Sequence, residues 1–101
     1  MKVFISGPVT GTDDYMERFA RAERFLCAQG DTAVNPVKVG AQLPEGTTHE
    51  ERMKISMAML DMCGAVFMLE GWQGSKGCGI EFEYACEHGI TIAFEEGGKI
   101  S

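Results

Sequence analysis

A chain of 101 residues is expected to form one domain, spanning 1–101, with room for a modest core. Its net charge of −6 and its lack of any lysine or arginine run argue against an extended nucleic-acid partner, although a few backbone amides suffice to hold a single nucleotide. A hydrophobic content of 45% with 24% charged residues suits an ordinary globular protein, and no apolar run reaches membrane-spanning length.

Met1-Lys2 leads directly into VFIS, too short for a secretory core, so the expected location is the cytoplasm. The cysteines, Cys27, Cys63, Cys78 and Cys86, form no CxxC pair and have no histidine at ligand spacing. They read as reduced, mostly buried thiols, with no metal site and no cofactor expected.

In chain order, KVFIS (2–6) is a short apolar run closed by Gly7-Pro8 and predicts a buried strand. Thr12 or Asp13 caps a helix to about Ala28, with Phe19, Ala22, Phe25 and Leu26 at helical spacing and Gln29-Gly30 stopping it. TAVN (32–35) is a second strand, ended by Pro36. Residues 37–47 are the least regular piece. Thr48-His49-Glu50-Glu51 fits a capping box that opens a helix to about Cys63. GAVFML (64–69) is the third strand, GIEFEYACEH the third helix and ITIAF (90–94) the fourth strand, before a polar tail, EEGGKIS.

This alternation implies an α/β fold: a flavodoxin- or Rossmann-like three-layer sandwich on a parallel four-stranded sheet, in strand order 2-1-3-4 with right-handed crossovers. The near-continuously apolar strands agree, since a parallel sheet is covered on both faces. The switch point falls between strands one and three, where such sheets bind ligands. The loops that meet there are SGPVTG (6–11) and EGWQGSKG (70–77).

The stretch GSKGCGIEFEYA (74–85) places glycines and a serine ahead of a helix that carries Glu81. Glycine lets backbone amides approach an anion, and the positive end of the helix dipole favours one there. A carboxylate in the first turn should stay ionised, as a nucleophile must be. The helix over 48–63 has apolar residues around nearly its whole circumference (Met53, Ile55, Met57, Ala58, Met59, Leu60, Met62, Cys63). One stripe serves the sheet; the excess points to a homodimer through this helix.

MKVFISGPVTG, the Asn35-Pro36 pair, and GW followed by S-x-G-x-G-x-E-x-x-x-A together resemble the nucleoside 2-deoxyribosyltransferase-like superfamily. They are most similar to its small, often phage-encoded DUF4406 group, and the motif also resembles the deoxynucleoside 5′-monophosphate N-glycosidases. The likeness runs along almost the whole chain. It implies a nucleoside or nucleotide partner and chemistry at an N-glycosidic bond. The glutamate at the Glu81 position attacks the anomeric carbon and displaces the base, and water or a second base then releases the sugar, as in retaining glycoside hydrolysis. The serine at the Ser75 position helps hold a 5′-phosphate in the monophosphate-specific members.

The sequence departs from the family pattern at several positions. An aspartate that helps protonate the leaving base is Ser56 here, and another, before strand three, is Gly64. The first-loop serine and arginine that bind phosphate read Pro8 and Thr10. Glu70, at the end of strand three, is the candidate replacement acid. The candidate catalytic residues are therefore Glu81, Glu70 and Ser56. The candidate substrate-binding residues are Ser6, Gly7, Pro8, Thr10 and Gly11 on the first loop, Asn35 at the end of strand two, and Trp72, Ser75, Gly77 and Gly79 around the second loop, with Trp72 offering a surface for a base. The alternative function is a nucleotide-binding protein without turnover, its active site degraded.

Overall fold

The computed structural model describes residues 1–95. Four strands, β1 (Lys2–Ser6), β2 (Thr32–Val34), β3 (Ala65–Met68) and β4 (Thr91–Phe94), form one sheet in the order β2-β1-β3-β4, with every pairing parallel. The helices are α1 (Tyr15–Ala28), α2 (Pro36–Gly40), α3 (His49–Asp61) and α4 (Lys76–Glu87). The α/β class, the parallel sheet and the strand order are those the sequence predicts.

The period-2 geometry of the strands divides the core into two layers. Val3, Ile5, Ala65, Phe67 and Leu69 face α1, where Phe19, Ala22 and Leu26 cover them. Phe4, Val66 and Met68 point the other way, against Met59 and Leu60 of α3, Cys63 just after it, and Cys78 and Ala85 of α4. Phe4, Leu60 and Phe19 are essentially removed from solvent, so truncation of any of them to alanine is expected to cost about 2–5 kcal/mol.

Several boundaries differ from expectation for local reasons. The piece over 37–47, expected to be irregular, begins with α2: Pro36 is pre-set for the first helical position, and Asn35 Oδ1 accepts the Val37 amide as N-cap. At α1 the helix starts after Asp14, with no side-chain cap, while Thr12 turns back to donate to the Val9 carbonyl. The Thr48–Glu51 capping box is present in both directions. At α4 the helix begins three residues ahead of the expected Gly79, because Ser75 Oγ accepts the Cys78 amide and caps it at Lys76. Cys27 and Cys86 are exposed, so only Cys63 and Cys78 meet the expectation of buried thiols. Of the expected polar tail, residues 96–101 lie outside the described residues, and Glu95 is buried rather than solvated.

Candidate functional site

At the carboxyl end of β1 a cavity of about 480 Å³ opens between the sheet, α1, α2, α3 and the start of α4. Its floor is Ile5, Ser6 and Gly7, where β1 leaves the sheet. Gly7 is required by close approach: a Cβ there would lie 2.7 Å from Leu69 Cδ1, so the loop passes over the end of β3 with no space for a side chain.

Glu81 lies on the α4 wall of the cavity and is only 6% exposed. Ser6 Oγ donates to Glu81 Oε1 at 2.6 Å, joining the end of β1 to α4. Burial pushes the Glu81 carboxyl up to about 7, against the opposing pull of the Ser6 hydrogen bond, which favours the ionised form. This corrects the expectation of a fully ionised first-turn carboxylate. Because α4 starts at Lys76, Glu81 lies in the second turn, where the dipole has faded and desolvation dominates. Cys78, one turn earlier, is also buried, and desolvation pushes its thiol above the ordinary range.

The structure brings Ser6, Gly7, Thr10, Ser56, Ser75, Gly77 and Glu81 together around this cavity. Pro8, Gly11, Asn35, Glu70, Trp72 and Gly79 do not line it. Asn35 is buried as the α2 cap, and its Nδ2 donates to Glu23 Oε1 on α1, so it bears on the cavity through α2. Trp72 is stacked on Phe82 at 4.6 Å and leans on Phe94 at 6.0 Å, so its ring already packs within the protein. The Glu70 side chain is exposed, while its backbone is held on both sides: its amide donates to Glu95 Oε1 at 2.9 Å and its carbonyl accepts from Arg18 at 2.6 Å.

Sequence reasoning missed His49, Arg52 and the far wall formed by Val37, Gly40, Ala41 and Leu43. The spacing of His49, Arg52, Met53 and Ser56 was a usable signal, since i, i+3, i+4 and i+7 share one helical face. That face also accounts for part of the apolar excess on α3. Ile55 and Met59 border the cavity, Met59, Leu60 and Cys63 enter the core, and Met62 remains 60% exposed. Among the described residues no group of three or more His, Cys, Asp or Glu could hold a metal ion, and no helix is long and apolar enough to cross a membrane.

A parallel sheet ordered 2-1-3-4, with a cavity at the carboxyl end of β1 and a buried carboxylate in the cavity wall, defines a flavodoxin-like α/β domain. The chain belongs to the DUF4406 family, described as a domain of unknown function, whose model matches residues 1–94. Among solved structures, its fold is similar to that of a 2-deoxyribosyltransferase from the psychrotolerant bacterium Bacillus psychrosaccharolyticus, with a TM-score of 0.77 and 16% sequence identity over 100% of this chain and 77% of that one. Comparison with curated proteins gave no match.

Proposed function

We propose that this protein acts on the N-glycosidic bond of a nucleoside or nucleotide, as a hydrolase or a weak deoxyribosyltransferase, with Glu81 as nucleophile. The observation that carries the reading is a buried carboxylate, oriented by Ser6, in the wall of a cavity large enough for a nucleoside. The DUF4406 match and the deoxyribosyltransferase-like fold support it. In the first step a Glu81 oxygen bonds to the anomeric carbon while the carbon–nitrogen bond breaks, and the departing base takes up a proton. Water, or a second base, then attacks the same carbon and frees Glu81. The deciding experiment incubates the protein with nucleosides and nucleotides and follows free base by chromatography. Glu81→Gln, which keeps the shape and removes the attacking charge, should lower release at least about a hundredfold. Release that survives the substitution rules Glu81 out.

Binding without turnover is the second reading, and Ser56 favours it. Ser56 lines the cavity at the position where the resemblance expects an acid, and a hydroxyl is a poor proton donor near neutrality. Calorimetric binding with no base release supports that reading. Ser56→Asp should raise turnover in a crippled enzyme and produce none in a pure binder.

For assembly, we propose a two-fold dimer through α3. The shallow groove formed by Met53, Met57 and Ile80 is bordered by Glu50, Lys54 and Lys76, charges of both signs that a two-fold axis can set against one another. Sedimentation that stays monomeric at every concentration overturns it.

A further inference from the structure

Ser6 has one hydroxyl proton, and it goes to Glu81 Oε1 at 2.6 Å. The same oxygen keeps two lone pairs in a side chain that is only 1% exposed, where an acceptor without a donor is costly. Cys78 stands beside it. Spaced three residues after the cap Ser75 and three before Glu81, it is buried and lines the same cavity as Ser6, Ser75 and Glu81. Its thiol hydrogen-bonds the side chains of Ser6 and Ser75, and it lies close enough to Glu81 for a thiolate there to be repelled by the carboxylate.

The directions of these bonds follow from the donors available. Ser75 Oγ accepts the Cys78 amide at 3.3 Å, so its own proton is free to turn to Cys78 Sγ. Burial, reinforced by the nearby carboxylate, keeps the thiol protonated. With the Ser6 proton committed to Glu81, the S–H meets Ser6 as a donor. The result is a chain: Ser75 O–H to Cys78 Sγ, Cys78 S–H to Ser6 Oγ, Ser6 O–H to Glu81 Oε1. Each bond in such a chain polarises and strengthens the next.

We propose that Cys78 is a positioning residue for Glu81: its thiol donates to Ser6 Oγ, which holds the Ser6 hydroxyl proton on Oε1 and leaves the other carboxylate oxygen for the ligand. This deepens the proposed function and rests on it only for the reaction that the carboxylate performs. Without the thiol, Ser6 Oγ loses its donor, and its own bond to Glu81 loses the polarisation that strengthened it. That bond favours the ionised carboxylate, so the nucleophile becomes both less charged and less firmly aimed.

The test follows the Glu81 carboxyl carbon by NMR titration, which needs no turnover. It compares the wild type with Cys78→Ala, Cys78→Val and Cys78→Ser, each also combined with Ser6→Ala, and thermal unfolding controls for folding. Tyr15 of α1 and His49 and Arg52 of α3 face the cavity, and the charge of Arg18 on α1 acts on Cys78; all four are kept in every variant, so their influence cancels. Cys78→Ala and Cys78→Val remove the donor with opposite changes of volume. Each should raise the Glu81 pKa by at least about 0.3, a twofold loss of carboxylate below the midpoint, and by no more than Ser6→Ala does. Cys78→Ser supplies a new donor and should hold the pKa at or below the wild-type value. In the Ser6→Ala background none of the three should move the titration, because the effect passes through Ser6. Shifts that persist without Ser6, or that are equal for alanine and serine, describe packing alone and overturn the inference. Base release with a Glu81 pKa indifferent to Cys78 overturns it and leaves the glycosidic reading standing. The expected shifts in a protein that releases no base remove the glycosidic reading and keep the role of the thiol.

Discussion

Ser6 Oγ and Glu81 Oε1 stand 2.6 Å apart, bridging the last residue of β1 and the second turn of α4. The bond restrains a carboxylate that burial otherwise drives toward its neutral form. Ser6→Ala removes it with little change of volume. The Glu81 pKa should then rise further, because the surviving influence is desolvation. If Glu81 is the nucleophile, the ascending limb of the pH–rate profile moves to higher pH, and the rate at pH 6.5 falls by about tenfold, the equivalent of one hydrogen bond to a charged group. A pH–rate profile of the variant checks this; a limb that does not move means that the titrating group is not Glu81.

Glu81 should also set a pH dependence of stability. Its folded pKa, about 7, lies above the ordinary glutamate value of 4.5, so the folded state binds the proton more tightly. The favourable contribution is complete below about pH 4.5 and is lost as pH rises through about 7. The full difference is on the order of 3 kcal/mol. Glu81→Gln mimics the neutral form and has no such loss. Denaturant unfolding at pH 5 and pH 8 should therefore show the variant close to wild type at the lower pH and more stable at the higher. A constant difference between the two proteins across that range would mean that the carboxyl is not buried as described.

Much of this arrangement was legible in the sequence, and the remainder was not for identifiable reasons. Each strand is a short apolar run closed by glycine, proline or a polar residue, so β1 to β4 and their order follow from local pattern and crossover rules. Thr48 and Glu51 satisfy each other within one turn, which also leaves a local mark. The environment of Glu81 is not local: Ser6 is 75 positions away, and nothing near Glu81 in the chain announces that contact. Trp72 could not be placed by inspection because its partners, Phe82 and Phe94, belong to α4 and β4. Arg52 and His49 were visible only as polar residues on an apolar helix until α2 and α4 supplied the rest of the cavity wall.

Gly7→Ala should be costly although the change is a single methyl. The new Cβ would meet Leu69 Cδ1 at 2.7 Å and Leu69 Cβ and Cγ at 3.0 Å. Leu69 is fully buried, so solvent offers it no room to retreat. Overpacking of this kind costs about 1–3 kcal/mol, and the strain falls on the loop that carries Thr10 into the cavity. Chemical denaturation gives the stability loss, and ligand affinity should fall with it. A variant as stable as wild type would show that the loop does not pass over Leu69 so closely.

Glu95 and Arg18 provide the last prediction. The Glu95 side chain is fully buried at the end of β4, its Oε1 accepting the Glu70 amide and lying 3.5 Å from Arg18, its Oε2 3.7 Å from Arg21. Arg18 also donates to the Glu70 carbonyl, so the pair fixes the point where β3 runs into the loop that leads to Ser75. Removing one member of a buried pair costs more than the pair contributes, because the other charge is left without its partner. Arg18→Met leaves the carboxylate with Arg21 alone and should destabilise the fold by about 2–3 kcal/mol. Glu95→Gln retains an acceptor for the Glu70 amide and should cost less, about 1 kcal/mol. Combining the two removes both charges, so the double variant should be less destabilised than the sum of the single ones, with a coupling of at least about 0.5 kcal/mol. Urea unfolding of the four proteins measures that cycle. Strict additivity would mean that Arg18 stabilises the loop through Glu70 alone and that the contact with Glu95 contributes nothing.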